Sequence, residues 1–144
     1  VRPFNHIGEY QARGFVVSDF VYQITQEIEK GLKNEINVGN LDVQRDFTDV
    51  KDIVKAYILL MEKAPTGEVY NLGSGTTISI RDLLLKLKAL ANKDFTIVVE
   101  ETKQRVGDEE ISLADISKIK QLGWSPVIPR DTTRARIVKW WREQ

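Results

Sequence analysis

The strongest constraint on the fold is an alternation of short β-rich runs with helical stripes, repeated along the whole chain. Val1 to Ile7 ends at Gly8 and carries an X-Pro pair, so it reads as an extended segment entering a loop. From Phe15, apolar residues at Phe20, Val21, Ile24, Ile28 and Leu32 recur every three or four positions, which predicts a helix with one buried stripe stopping near Asn34. Ile36 to Val38, with Gly39-Asn40 after it, reads as a strand entering a turn, and Gln44 to Thr48 resumes an extended course. Asp49 is placed to cap a helix with the stripe Ile53, Val54, Tyr57, Ile58, Leu60 and Met61, closing before Pro65 and Gly67. Glu68 to Leu72 reads as a strand and Gly73 to Thr77 as a turn. Ser79 with Asp82 then forms a capping box for a helix carrying Ile80, Leu83, Leu84, Leu87, Leu90 and Ala91. Phe95 to Val99 is β-rich. Ser112 and Asp115 repeat the capping pattern before Ile116, Ile119 and Leu122, with Gly123 at C′, and a last helix from about Asp131 buries Ile137, Val138 and Trp141. Strands and helices at this spacing specify an α/β architecture around a parallel or mixed sheet.

Composition narrows the chemistry. Twenty-one Lys plus Arg balance 21 Asp plus Glu, so the chain has no overall field for a nucleic-acid backbone or an acidic membrane surface, and neither partner is expected. Any anion site is local. With no cysteine and one histidine, thiol nucleophiles, Cys-x-x-Cys redox pairs and the usual zinc sets are excluded, and no metal ligands are assigned. The apolar runs fall far short of the ~20 residues that span a bilayer, and Val-Arg-Pro at the start is no signal peptide. The chain therefore reads as cytoplasmic. It begins without Met and inside a strand, which reads as a fragment of something longer.

Several residues have two readings. Asn5 and His6 follow a strand, where open α/β sheets place ligands, and equally suit a turn with a satisfied histidine. Arg45 is either the partner of Asp46 or Asp49, or a bidentate fork for phosphate. Arg105 has the same ambiguity in a loop, with Asp108 three residues on and able to accept from a sugar hydroxyl. Gly73-Ser74-Gly75 lacks the spacing of a dinucleotide turn or a P-loop and reads as a turn. Trp124, Trp140 and Trp141 read as packing. No G-x-S-x-G accompanies His6, which argues against a serine hydrolase.

Taken in order, Val1-Arg-Pro-Phe-Asn-His-Ile-Gly8, Gly14-Phe-Val-Val-Ser-Asp-Phe20, Val38-Gly-Asn-Leu41, Arg45-Asp-Phe-Thr-Asp-Val50 with Asp52, and Gly67-Glu-Val-Tyr-Asn-Leu-Gly-Ser-Gly75 resemble the second half of one family. Arg105 with Asp108, and Ser117-Lys118 with Leu122-Gly-Trp-Ser-Pro126, continue the likeness, which covers nearly all of the chain. The family is that of the extended short-chain dehydrogenases acting on nucleotide sugars, and the strings are most similar to its GDP-4-dehydro-6-deoxy-D-mannose reductase and GDP-mannose 4,6-dehydratase branch.

The resemblance implies the C-terminal part of an NAD(P)-binding Rossmann-type enzyme. Residues 1–8 and 41–75 would belong to the Rossmann sheet, and 9–40 and 76–144 to the substrate-binding part. Asn5 would contact the sugar or diphosphate, and Phe15, Val16 and Val38 would border the nucleotide. Arg45 and Arg105 would hold the pyrophosphate and Asp108 the ribose hydroxyls, while Pro3, Phe4 and His6 would lie beside the nicotinamide. The ligand implied is a nucleotide-diphosphate sugar, GDP-linked, and the cofactor NADP or NAD. The activity implied is reduction of the 4-keto group of a GDP-4-keto-6-deoxy-hexose. The alternatives are a 4,6-dehydratase half or a non-catalytic nucleotide-binding fragment. No Tyr-x-x-x-Lys is present, since Gly14, Gln26, Met61 and Ser74 stand four residues after the four tyrosines. No catalytic residue is therefore assigned here, and the catalytic tyrosine and most of the cofactor site are expected upstream of Val1. A chain of this kind should expose strand edges and an apolar face, and pair with a missing half or with itself. Glu9-Tyr10 replaces the family's Pro-Gly and sets a carboxylate close to the diphosphate position.

Overall fold

A computed structural model describes residues 1–103, 107 and 109–144. Among them the strands are β1 (Arg2–Pro3), β2 (Asn5–Ile7), β3 (Glu35–Val38), β4 (Gln44–Asp49), β5 (Asn71–Leu72), β6 (Thr77–Ser79), β7 (Thr96–Val99) and β8 (Ile111–Ser112). The helices are α1 (Val16–Tyr22), α2 (Val50–Lys63), α3 (Ile80–Lys88), α4 (Ser117–Gln121) and α5 (Arg130–Arg142). The pairing is mixed. β4 runs parallel to β2 and β8 and antiparallel to β6, while β1 pairs with β5 and β3 with β7, both parallel.

Side chains gather into two cores. One joins α1, β3, β4, α3 and α5 through Val21, Ile24, Ile36, Phe47, Leu83, Leu84 and Ile137. The other sets Ile53, Ala56 and Leu60 of α2 against Tyr70, Leu72, Ile119 and Trp124. Segment 41–47 gives Leu41, Val43 and Phe47 to the first core, and Ala114 to Trp124 belong to the second.

Local chemistry sets most boundaries as expected. Asp49 Oδ1 accepts from the Lys51 amide at 2.8 Å, and Ser79 and Asp82 satisfy each other across the first turn of α3. Gly123, at φ 91°, closes α4 with its amide on Lys120 O.

Three expectations are corrected. The first helix does not run to Asn34 as one α-helix: after Tyr22 it widens into a π-helical segment, Gln23–Ile28, and Leu32 is exposed. The α2 stripe is broader than the face it buries, since Val54, Ile58 and Met61 are exposed. Ser112 lies in β8 and caps nothing; Asp115 alone accepts from the Ser117 amide, at 2.9 Å.

Three carboxylates of the Arg-Asp-Phe-Thr-Asp-Val-Lys-Asp string, Asp46, Asp49 and Asp52, are all buried. Asp46 accepts from the amides of Ser74 (2.7 Å), Gly75 (2.9 Å) and Ala114 (3.3 Å) and from Ser74 Oγ (2.6 Å). The Gly-Ser-Gly turn is thus built on an internal carboxylate, and a Cβ on Gly73 would lie 2.7 Å from Asp46 Oδ2. Asp52 takes the Val127 and Ile128 amides at 2.9 and 2.8 Å, and its main-chain oxygen accepts from Trp124 Nε1. Asp46 and Asp52 each staple a distant loop to the strand and helix start that carry them, and Asp49 accepts from Thr133 and Arg136 of α5.

Candidate functional site

Beside β2 and β4 opens a cavity of about 990 Å³. Its wall includes Pro3, Phe4, Asn5 and His6 from the first two strands, Phe15 and Val16 at the start of α1, Val38 at the end of β3, and Arg45 of β4. These are all of the candidate ligand-binding residues that fall among those described. Arg105 and Asp108 lie outside the described residues. The neighbouring turn Glu101–Lys103 brings Lys103 to the cavity wall.

Strand pairing supplies the geometry. Parallel register sets Asn5 against Phe47 and His6 against Thr48, and antiparallel register sets Arg45 against Ile78. Asn5 Nδ2 donates to Asp46 O at 3.3 Å, and His6 Nδ1 lies 3.2 Å from Phe4 O. Arg45 Nη1 donates to Gln44 O and Glu109 O at 2.9 and 2.7 Å. Asp46 and Asp49 are engaged by other groups, so neither is the ion-pair partner that the sequence suggests for Arg45. Gly39 allows a close approach: a Cβ there would come within 2.7 Å of Lys103 O.

Glu9 does not point toward the cavity, as its place in the loop suggests it should. Arg136 Nε and Nη2 hold both its oxygens, at 2.8 and 2.9 Å, and Lys51 Nζ lies 3.6 Å away. Tyr10 adopts φ 68°, a left-handed conformation at a position where the resembling family has glycine, and its ring rests 5.0 Å from that of Trp140. Gln11 fastens the same loop at the cavity edge by donating to His6 O and accepting from Ser18 Oγ.

The Arg136 guanidinium holds the Glu9 carboxyl down at about 2, against an ordinary 4.5. A depressed carboxylate stabilises the fold only where it is ionised. The contribution is therefore complete above about pH 4.5 and disappears as pH falls from 4.5 through 2. At neutral pH it amounts to roughly 2 to 3 kcal/mol. Urea unfolding of the chain and of Glu9→Gln between pH 2 and 7 should give curves that meet at the acid end, diverge between pH 2 and 4.5 and run parallel above it. A constant offset across that range would assign the acid sensitivity to other groups.

Among the described residues, no group of three His, Cys, Asp or Glu is arranged to hold a metal ion, and no helix is long and apolar enough to cross a membrane.

A mixed α/β frame with its cavity at strand ends is a Rossmann-type arrangement, as seen in extended short-chain dehydrogenases. The chain belongs to the GDP-mannose 4,6-dehydratase family, whose model matches residues 1–135. It is 34% identical over 142 residues to the GDP-6-deoxy-D-mannose reductase of Pseudomonas aeruginosa, covering 96% of this chain and 46% of that protein. The structure of RMD from P. aeruginosa complexed with NADPH superimposes with a TM-score of 0.90 at 33% identity, over 99% of this chain and 47% of that one. The UDP-glucose 4-epimerase of Thermotoga maritima, solved with UDP-glucose, gives a TM-score of 0.80 at 28% identity, over 99% of this chain and 45% of that one. The chain thus spans a little under half the length of the relatives it matches.

Proposed function

We propose that this chain is the substrate-binding half of an NAD(P)-dependent nucleotide-sugar oxidoreductase that reduces the 4-keto group of a GDP-4-keto-6-deoxy-hexose. The observation that carries this reading is the convergence on one cavity of Asn5, Phe15, Val16, Val38 and Arg45, drawn from four separated segments. About 990 Å³ is at the upper end of small-molecule pockets, with room for a nucleoside diphosphate and an attached hexose. The planar fork of Arg45, with Arg105, neutralises the diphosphate, which a net charge of zero does not. Asp108 accepts from the ribose hydroxyls. Phe15, Val16 and Val38 give the nucleoside an apolar border, and Asn5 contacts the sugar or the diphosphate.

A nicotinamide cofactor fits only one end of this cavity. Pro3 and Phe4 offer an apolar edge and His6 a polar one, with the Phe4 amide already committed to Leu72 O at 2.8 Å. The sequence contains no glycine-rich dinucleotide turn, so the phosphates of such a cofactor would be held outside these residues, in an N-terminal half. When bound, the cofactor supplies the hydride. This chain's own residues hold the nucleotide and orient the sugar toward it.

A 4,6-dehydratase half is the second reading, favoured by the family model that matches the chain. Product analysis of the full-length enzyme with GDP-mannose and with its 4-keto derivative separates the two. The binding claim is tested by calorimetric titration with GDP and with UDP, repeated on Arg45→Ala. GDP is expected to bind, and Arg45→Ala to weaken it about 100-fold, close to 2.7 kcal/mol, without loss of the folded state. GDP affinity that survives Arg45→Ala unchanged removes the diphosphate from this cavity.

A further inference from the structure

β3 is an edge strand. Its Ile36 and Val38 face the β7 ladder, while the amide and carbonyl of Asn37 point the other way, where no strand lies among the described residues. The carboxamide of Gln23 fills that place. Gln23 Oε1 accepts from the Asn37 amide at 2.9 Å, and Gln23 Nε2 donates to Asn37 O at 3.1 Å, the two-bond exchange that a neighbouring strand would make. The same Nε2 reaches Asp19 Oδ2 at 3.0 Å, and Asp19 is paired with Arg13 at 3.3 Å.

Gln23 is 4% exposed and is the first residue of the π-helical segment. Local widening of a helix moves a side chain off its regular register, and such segments recur at functional sites. On the far side of this contact, Asn37, Val38 and Asp19 all line the cavity, and Lys103 Nζ, also at the cavity wall, adds a second donor to Asn37 O at 3.2 Å.

We propose that Gln23 is a positioning residue of the cavity. By standing in for a missing strand it fixes the Asn37–Val38 main chain, and with it the wall that borders the nucleoside. The nucleoside part of this inference rests on the nucleotide-binding reading above; the positioning part does not.

The test joins two measurements on the chain, Gln23→Met and Gln23→Glu. Amide hydrogen exchange reads the contact directly. In Gln23→Met the Asn37 amide should exchange at least tenfold faster, while amides of α3 keep their protection. Gln23→Glu retains an acceptor for that amide but sets a carboxylate against Asp19 Oδ2 and Asn37 O, so it should restore the protection only in part, and Gln23→Leu serves should the Met variant fail to fold. Calorimetry with GDP and with inorganic pyrophosphate reads the consequence. GDP should weaken about tenfold in Gln23→Met while pyrophosphate is unchanged, a split that general destabilisation does not produce. Unaltered Asn37 exchange overturns the positioning role. Faster Asn37 exchange with unaltered GDP affinity, or with GDP and pyrophosphate weakened alike, overturns its link to the nucleoside. If the unaltered chain binds neither ligand, the nucleotide-binding reading fails, and the exchange experiment still decides the positioning role.

Discussion

Replacing Asp46 by alanine is expected to lower the unfolding free energy by about 4 kcal/mol, a large fraction of the stability of a domain this size. The carboxylate is fully buried and accepts four hydrogen bonds, three from main-chain amides and one from Ser74 Oγ. Hydrogen bonds to a charged acceptor contribute roughly 1.5 to 3 kcal/mol each, and donors stranded without solvent carry a further penalty. Relaxation of the turn recovers part of that sum, which brings the net loss to the stated size. An asparagine side chain would keep the shape but turn an amino group toward amide donors, so Asp46→Asn should lose nearly as much, about 3 kcal/mol. Ser74→Ala removes one donor and leaves the acceptor intact, and should cost only about 1 kcal/mol. Urea midpoints at constant m-value give the three numbers. Equal losses for Asp46→Ala and Ser74→Ala would show that the main-chain amides find other partners and that the carboxylate does not organise the turn.

That network also shows where sequence reading stops. Caps formed within three residues are legible because donor and acceptor are neighbours in the chain: Asp49 on Lys51, Ser79 on Asp82, Gly123 after α4. The distant partners of Asp46, Asp49 and Asp52 lie 28 to 87 residues away, and no local pattern announces them. The three aspartates stand in the string that carries the family resemblance, yet from sequence Asp46 reads only as a partner for Arg45, and Asp49 as that or as a helix cap. Apolar spacing locates α1 but not its widening at Gln23, because that change answers to Asn37 across the fold. The spacing also overstates burial on α2, where Val54, Ile58 and Met61 satisfy the helical period yet face outward. Of the cavity, Phe15, Val16 and Val38 come from the family resemblance, and Asn5 and Arg45 are candidates from their own chemistry and place as well, whereas Gln11 and Lys103 give no signal, being loop or turn residues that only the fold brings to the wall.

Arg136→Met should cost about 3 kcal/mol, for a reason that a double-mutant cycle can isolate. The guanidinium spans two carboxylates. Its Nε and Nη2 grip Glu9, and Nη2 also donates to Asp49 Oδ2 at 2.7 Å. Glu9 is partly exposed and can turn to water, but the Asp49 side chain is fully buried. Without Arg136 the two Asp49 oxygens keep Thr133 Oγ1 at 2.6 Å and the Lys51 amide, too little for an ion away from solvent. The loss therefore joins the broken Glu9 pair, about 2 kcal/mol of it, to the stranding of Asp49, about 1 kcal/mol, and Glu9→Gln in the Arg136→Met background should add little to it. The coupling between Glu9 and Arg136 should then be about 2 kcal/mol at pH 7 and should fade as pH falls from 4.5, where the carboxyl without its partner takes up a proton, through the native value of about 2. A cycle that closes additively at pH 7 would show that the two residues act independently. The loop bearing Gln11 would in that case be held to α5 by the Tyr10 and Trp140 rings, and the acid limb of stability would belong to other carboxylates.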